Sequence, residues 1–197
     1  MTTEANIPLG CVPIANANGN YPQVNEYNAG TNQTFYQGML VCKSASGLMY
    51  TPSTTRILRG ELIGIAAHYK SISSTASGDA IKLYVYDDPN VLFEMQANAK
   101  LTNATSWAGY MFPISNLKTG NATTLQSKGS LSVSAALTDI SASTAVCVQV
   151  VRPVKTIGHT DNLTYSRYIC RFVPPYHAYG MATAGIAAAS VWDPPGS

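Results

Sequence analysis

Apolar and polar positions alternate most cleanly at residues 81–86, where Ile81, Leu83 and Val85 interleave with Lys82, Tyr84 and Tyr86. A period of two gives a strand with one buried face. Asp87-Asp88-Pro89-Asn90 follows as a turn: Asp favours turn entry and Pro89 arrives with φ already set. Leu92, Glu94 and Gln96 then alternate with Phe93 and Met95. A four-residue connection is too short for a crossover, so the two strands are expected to be antiparallel neighbours. Residues 38–43 and 48–51 read as a hairpin around a polar turn ending in Gly47. Residues 62–69 read as a strand in which Gly64 marks a bulge or a close backbone approach. A loop rich in Ser and Thr covers 71–79. Residues 131–137 form a further alternating candidate, and the β-branched run 145–152 is the best central strand, ended by Pro153. In 165–173, Tyr165, Arg167, Ile169 and Arg171 are assigned to one face and Ser166, Tyr168, Cys170 and Phe172 to the other. Trp107, Tyr110 and Phe112 sit among small polar residues and read as anchors of irregular backbone.

The two ends behave differently from this body. Residues 1–34 mix Pro, Gly and Asn with isolated apolar residues; the prolines exclude a helix interior and disfavour a central strand. The stretch is too apolar for a disordered tail, and is expected to be an extended arm docked on its own body or on a neighbour. Residues 178–197 are small and apolar with a single Trp192, and read as a second docking arm in which 182–191 could form a short helix. The organisation expected is therefore an N-terminal arm (1–34), a β domain (35–177) and a C-terminal arm (178–197). Many short strands with frequent turns point to a mainly β fold, a compact antiparallel β-barrel or β-sandwich.

Composition narrows the partners. Only 11% of the 197 residues are charged against 46% apolar, where about 25% charged is usual. The surface must be built from Ser, Thr, Asn, Gln and Tyr, which suits a chain that lies against other proteins. A net charge of +2, with Lys and Arg scattered, gives no electrostatic stripe for nucleic acid. The start lacks the pattern of a signal peptide and no run reaches a membrane span, so no membrane partner and manufacture in the cytoplasm are expected. Cys11, Cys42, Cys147 and Cys170 have no CxxC spacing and apolar neighbours, and read as buried free thiols.

No catalytic signature emerges. His68, His159 and His177 have no ligand-spaced partners, so neither a metal nor a cofactor is expected. Asp87 and Asp88 are the one carboxylate pair before a turn, and with Pro89 they are assigned to turn structure. There is no phosphate loop and no GxSxG elbow. The chain is read as a non-enzyme without a small-molecule substrate; an enzyme would need a deep pocket near His68 or His177. Twelve tyrosines and two tryptophans supply amphipathic contact area of the kind found where proteins meet.

Residues 60–96 carry a resemblance. Gly60-Glu-Leu-Ile-Gly-Ile-Ala-Ala-His-Tyr69, the Ser/Thr loop, and Val85-Tyr-Asp-Asp-Pro-Asn-Val-Leu-Phe-Glu-Met-Gln96 resemble small head decoration, or cement, proteins of tailed bacteriophages. The likeness spans about a fifth of the chain. It implies a capsid-associated structural protein on the virion exterior, with the major capsid protein and sister copies as partners and a homo-oligomeric state on the shell. On that reading Ile7, Val12, Ile14 and Tyr21 in one arm, and Tyr179, Met181, Ile186, Val191 and Trp192 in the other, are the expected contact residues. A tail-tube, head-fibre or head-completion protein is the nearest alternative. A carbohydrate-binding module or adhesin is the alternative from another class and would need exposed coplanar aromatic rings.

Overall fold

The computed structural model describes residues 7–99, 108–133, 146–154, 165–173 and 177–178. They fold as a sandwich-like assembly of antiparallel sheets without a closed barrel. The strands are β1 (Val12–Asn16), β2 (Asn25–Asn28), β3 (Gln33–Phe35), β4 (Leu40–Lys43), β5 (Met49–Tyr50), β6 (Leu62–Ala66), β7 (Lys70–Ile72), β8 (Lys82–Tyr86), β9 (Val91–Gln96), β10 (Met111–Ser115), β11 (Ser130–Leu131), β12 (Val146–Pro153) and β13 (Arg167–Phe172); one short helix, α1 (Thr54–Leu58), lies between β5 and β6. Sheet 1 has the order β1-β9-β13-β12-β10-β11, sheet 2 the order β2-β8-β6-β4-β5, and β3 pairs with β7 as a separate ribbon.

β8 and β9 are not neighbours, contrary to the expectation from their short connection. β8 pairs with β2 and β6 in sheet 2, while β9 pairs with β1 and β13 in sheet 1. Residues 87–90 therefore carry the chain from one sheet to the other. Their partner crosses too: Val12 to Asn16 pairs along Glu94 to Val91, and Asn25 to Asn28 along Val85 to Lys82. The four strands are two halves of one antiparallel ribbon bent at a corner of the sandwich. A turn of four residues can close a hairpin or turn a corner, and the apolar faces decide between them. Leu83 and Val85 pack in one core cluster, whereas Val91, Phe93 and Met95 pack in the other.

The N-terminal stretch is half of this ribbon. Residues 7–34 dock on the body of the same chain, one of the two docking modes expected, and from Val12 onward they contribute β1, β2 and β3. Position 34 is thus not a structural boundary, since β3 spans it. β1 occupies a sheet edge, where its Pro13 is tolerated.

The middle strands of sheet 2, β4 and β6, are buried on both faces. Leu40, Cys42, Leu62 and Ile65 face the core shared with sheet 1, while Val41, Ile63, Ala66, Leu83 and Val85 join Phe35 and Ile72 of the ribbon in a second core. Leu62 and Ile65 are three apart, which a regular strand would send to opposite faces. A bulge resolves the conflict: Val41 pairs with Gly64 and Cys42 with Leu62, leaving Ile63 as the extra residue. Gly64 is required there because a Cβ would lie 2.0 Å from the Tyr86 carbonyl oxygen. Both features read into Gly64 from the sequence, bulge and close approach, are present.

β4 and β5 form the expected hairpin, closed by Gly47 N–H donating to the Ser44 carbonyl (2.9 Å) with Gly47 at φ +83°. β12 lies inside sheet 1 between β13 and β10, but it is not fully buried, Arg152 being exposed, and Pro153 belongs to it rather than ending it, paired with Tyr168. In β13, Tyr168, Cys170 and Phe172 are in the core and Arg171 is exposed. Phe112 does not anchor irregular backbone as expected, since it is a buried member of β10, whereas Tyr110 lies outside the strands and packs, partly buried, against the core. Trp107 and most of 131–137 lie outside the described residues, of which only β11 and positions 132–133 are seen.

Replacing Gly64 with Ala is expected to lower unfolding stability by about 1–3 kcal/mol or more, the cost of forcing a tight core apart. Urea denaturation of the purified variant reads it, and an unchanged midpoint would contradict the close approach.

Candidate functional site

The bend at residues 87–90 is the most elaborately bonded polar feature. Asp87 is buried, and its two carboxylate oxygens accept from Asn25 Nδ2 (2.9 Å) and from the Tyr27 hydroxyl. Both donors come from β2, so the carboxylate ties the two halves of the ribbon together at the corner. Asp88 Oδ1 accepts from Asn90 N (2.8 Å), a side-chain turn closed on its own backbone. Ala17 N donates to the Asn90 carbonyl at 2.9 Å, bringing the β1–β2 crossing alongside. Asp87, Asp88 and Pro89 are therefore a structural turn, and Asp87 is also a cross-ribbon clamp. Both oxygens of Asp87 are engaged, and Oδ1 of Asp88 is used by the turn.

His177 completes the same corner. Where β8 leaves sheet 2, the vacated side of β6 is taken by His177 and Ala178: Leu62 and His177 form a parallel bridge, and Ala178 N donates to the Leu62 carbonyl at 2.6 Å. The His177 ring is fully buried and packs 5.2 Å from the Phe172 ring centre. Burial pulls its pKa down to about 4, against opposing effects of a hydrogen bond with the Ile63 backbone and of the Asp87 and Asp88 carboxylates. It is a neutral core group at pH 7. His68 is half-buried against Tyr84, 5.5 Å between ring centres, and its pKa is lowered by burial first and by Lys70 second. Among the described residues a groove of about 10 Å³, room for roughly one water, lies away from both histidines, among Ile7, Leu9, Val12, Glu94 and Arg167.

The four cysteines are free and buried, in agreement with the reading from their neighbours. Burial raises all four thiols: Cys42 and Cys147 to about 12, and Cys11 and Cys170 also upward. A thiolate is the reactive form, so these side chains are held inert. Among the described residues no group of three or more His, Cys, Asp or Glu is gathered as a metal site, and no helix is long and apolar enough to cross a membrane.

What the surface does present is apolar. Ile7, Val12 and Ile14 are 57%, 39% and 43% exposed, and Tyr21 is 89% exposed. Ile7 and Val12 line the same groove, at the edge of the outer face of sheet 1. Ile14 is the bulged residue between the Pro13–Phe93 and Ala15–Leu92 pairs. Tyr21 lies on the crossing loop between β1 and β2. Further in, the outer face is polar: Arg167 Nη1 bonds Glu94 at 2.9 Å, and Arg171 Nε donates to Gln149 at 2.8 Å. Tyr179, Met181, Ile186, Val191 and Trp192 lie outside the described residues.

Two exposed side chains, Val24 and Leu125, escaped the sequence reading, and Tyr84 was not counted among the contact residues. Val24 (43%) is on the same crossing loop as Tyr21. Tyr84 (44%) alternates with buried Leu83 and Val85, a signal the period of two already carried. Leu125 (40%) sits at φ +58° in the loop before β11, a left-handed conformation unusual for a bulky residue, and nothing in its local sequence announces it.

No protein-family model, curated protein or solved structure matches the chain.

Because His177 titrates near 6.5 when unfolded and near 4 when folded, the unfolded chain binds the proton first as pH falls. Its contribution is fully present above pH 6.5 and is lost on acidification toward pH 4. Between pH 7 and pH 5 the protein should lose about 2 kcal/mol through this residue. A His177→Gln variant should show a correspondingly flatter dependence of urea stability on pH. For the cysteines, a thiol reagent should react slowly with the native protein and titrate all four thiols once the chain is unfolded.

Proposed function

We propose that the chain is a virion structural protein that decorates and stabilises the head of a tailed bacteriophage, binding major capsid protein subunits and sister copies on the capsid exterior. It is made in the host cytoplasm and works without enzymatic chemistry or a cofactor. The observation that supports this most is the set of exposed apolar side chains Ile7, Val12, Ile14 and Tyr21 along the outer edge and corner of a doubly cored β body. Such residues cost solubility when bare and gain when covered, at roughly 25 cal/mol per Å² of apolar surface. The contact is made through side chains. β1 carries Pro13 and a bulge, devices that blunt a sheet edge against pairing with another strand. Modest patches suffice for such a protein, because many copies on one lattice reinforce each other.

The fold alone does not choose this function, since sandwiches serve virus shells and lectins alike. For carbohydrate binding, coplanar exposed rings are the requirement. The described surface pairs His68–Tyr84 and Tyr36–Tyr69 are tilted by 54° and 55°, which favours protein contact over sugar stacking. A tail-tube, head-fibre or head-completion role would use the same kind of surface at far lower copy number.

Quantitative mass spectrometry of purified particles of the encoding phage should find this chain at a stoichiometry comparable to the capsid protein. Val12→Asp with Ile14→Asp, both at exposed positions, should reduce head occupancy by about tenfold, the loss of one well-buried apolar contact; removal of 178–197 should also release the protein. Absence from particles, or a handful of copies at one vertex, would sink the decoration role.

A further inference from the structure

The loop that joins β1 to β2 contains the chain's single Asn-Gly step, Asn18-Gly19. Both residues are exposed, Gly19 stands at φ +86°, and no atom lies within 4 Å of the place a Cβ would occupy. No other part of the chain crowds that side of Gly19. Asn18 Oδ1 accepts a hydrogen bond from Asn20 N at 3.1 Å. That donor is aimed at the oxygen on which charge collects if the amide carbon is attacked, so it serves as a one-donor oxyanion site.

We propose that Asn18 is a site of spontaneous deamidation, with the Gly19 backbone nitrogen as nucleophile and water as co-reactant. Base removes the Gly19 amide proton, and the nitrogen adds to Asn18 Cγ to close a five-membered ring. The Asn20 N–H holds the resulting oxyanion. The bond from Cγ to the side-chain nitrogen then breaks, and ammonia leaves with a proton from water. Addition of water to either carbonyl of the cyclic imide opens it to aspartate or isoaspartate. The net change is amide plus water to carboxylate plus ammonia, with nothing oxidised or reduced. The formal charge of the chain, +2, falls by one unit.

One contact opposes the step. Gly19 N donates to the Asn16 carbonyl at 2.8 Å and must let go before it can attack. A single hydrogen bond in an exposed turn lowers the free population by no more than about tenfold, so the turn slows the reaction without stopping it. The proposal is independent of what the neighbouring apolar surface binds. Its effect is a slow, irreversible change of charge between Ile14 and Tyr21, on the loop that bends the ribbon.

The test is to hold the full native chain at mildly alkaline pH, separate charge variants and map their peptides. A species one charge more acidic should accumulate, with Asp and isoAsp at position 18, at a rate that rises with pH and lies within about tenfold of that in urea. Asn18→Gln, whose side chain would have to close a larger ring, should not form it. Intact Asn18 in the native protein while the unfolded chain converts, or an unchanged acidic species in Asn18→Gln, would overturn the assignment.

Discussion

The molecule depends on one bend. Two antiparallel strand pairs, β1 with β9 and β2 with β8, are a single ribbon divided between two sheets. The chain must cross the sandwich twice at the same corner. A crossing strips backbone groups of ladder partners, and buried ones must find others. At the corner Asp87 accepts from Asn25 and Tyr27 of β2, and His177 and Ala178 take the side of β6 that β8 has left. Remove the clamp and the start of the crossing loses its side-chain tie to β2.

A second constraint follows from placing sheet 2 between sheet 1 and the β3–β7 ribbon. A strand buried on both sides has no polar face on which to tolerate a register slip. The bulge at Ile63 and Gly64 lets Leu62 and Ile65 reach one core while Ile63 and Ala66 reach the other. The same close packing explains the cysteines. Placed at core positions, they behave as small apolar side chains, and their thiols are pushed away from the reactive form.

Among the described residues, what the body offers outward is its apolar edge. Exposed side chains on a rigid scaffold need little ordering when a partner covers them, which lowers the cost of contact. The polar pairs Arg167–Glu94 and Arg171–Gln149 set the limit of that surface on sheet 1. In the proposed role, the protein adds contacts to an assembly through that edge.

Local pattern alone carried the mainly β character, the 38–51 hairpin, the interior strand at 145–152, the faces of 165–173 and the role of Gly64, because each depends on side chains a few positions apart. It also marked Asp88 and Pro89 as turn residues. It was silent on which strand each one meets. β8 and β9 have the same alternation whether they pair with each other or part at a corner, and the choice was made by Leu83 and Val85 joining one core and Phe93 and Met95 the other. The second role of Asp87 likewise depends on Asn25 and Tyr27, some sixty residues away in the chain. Hydrophobic periodicity states that a face must be covered; only the tertiary structure decides by what, since burial has no direction along the sequence.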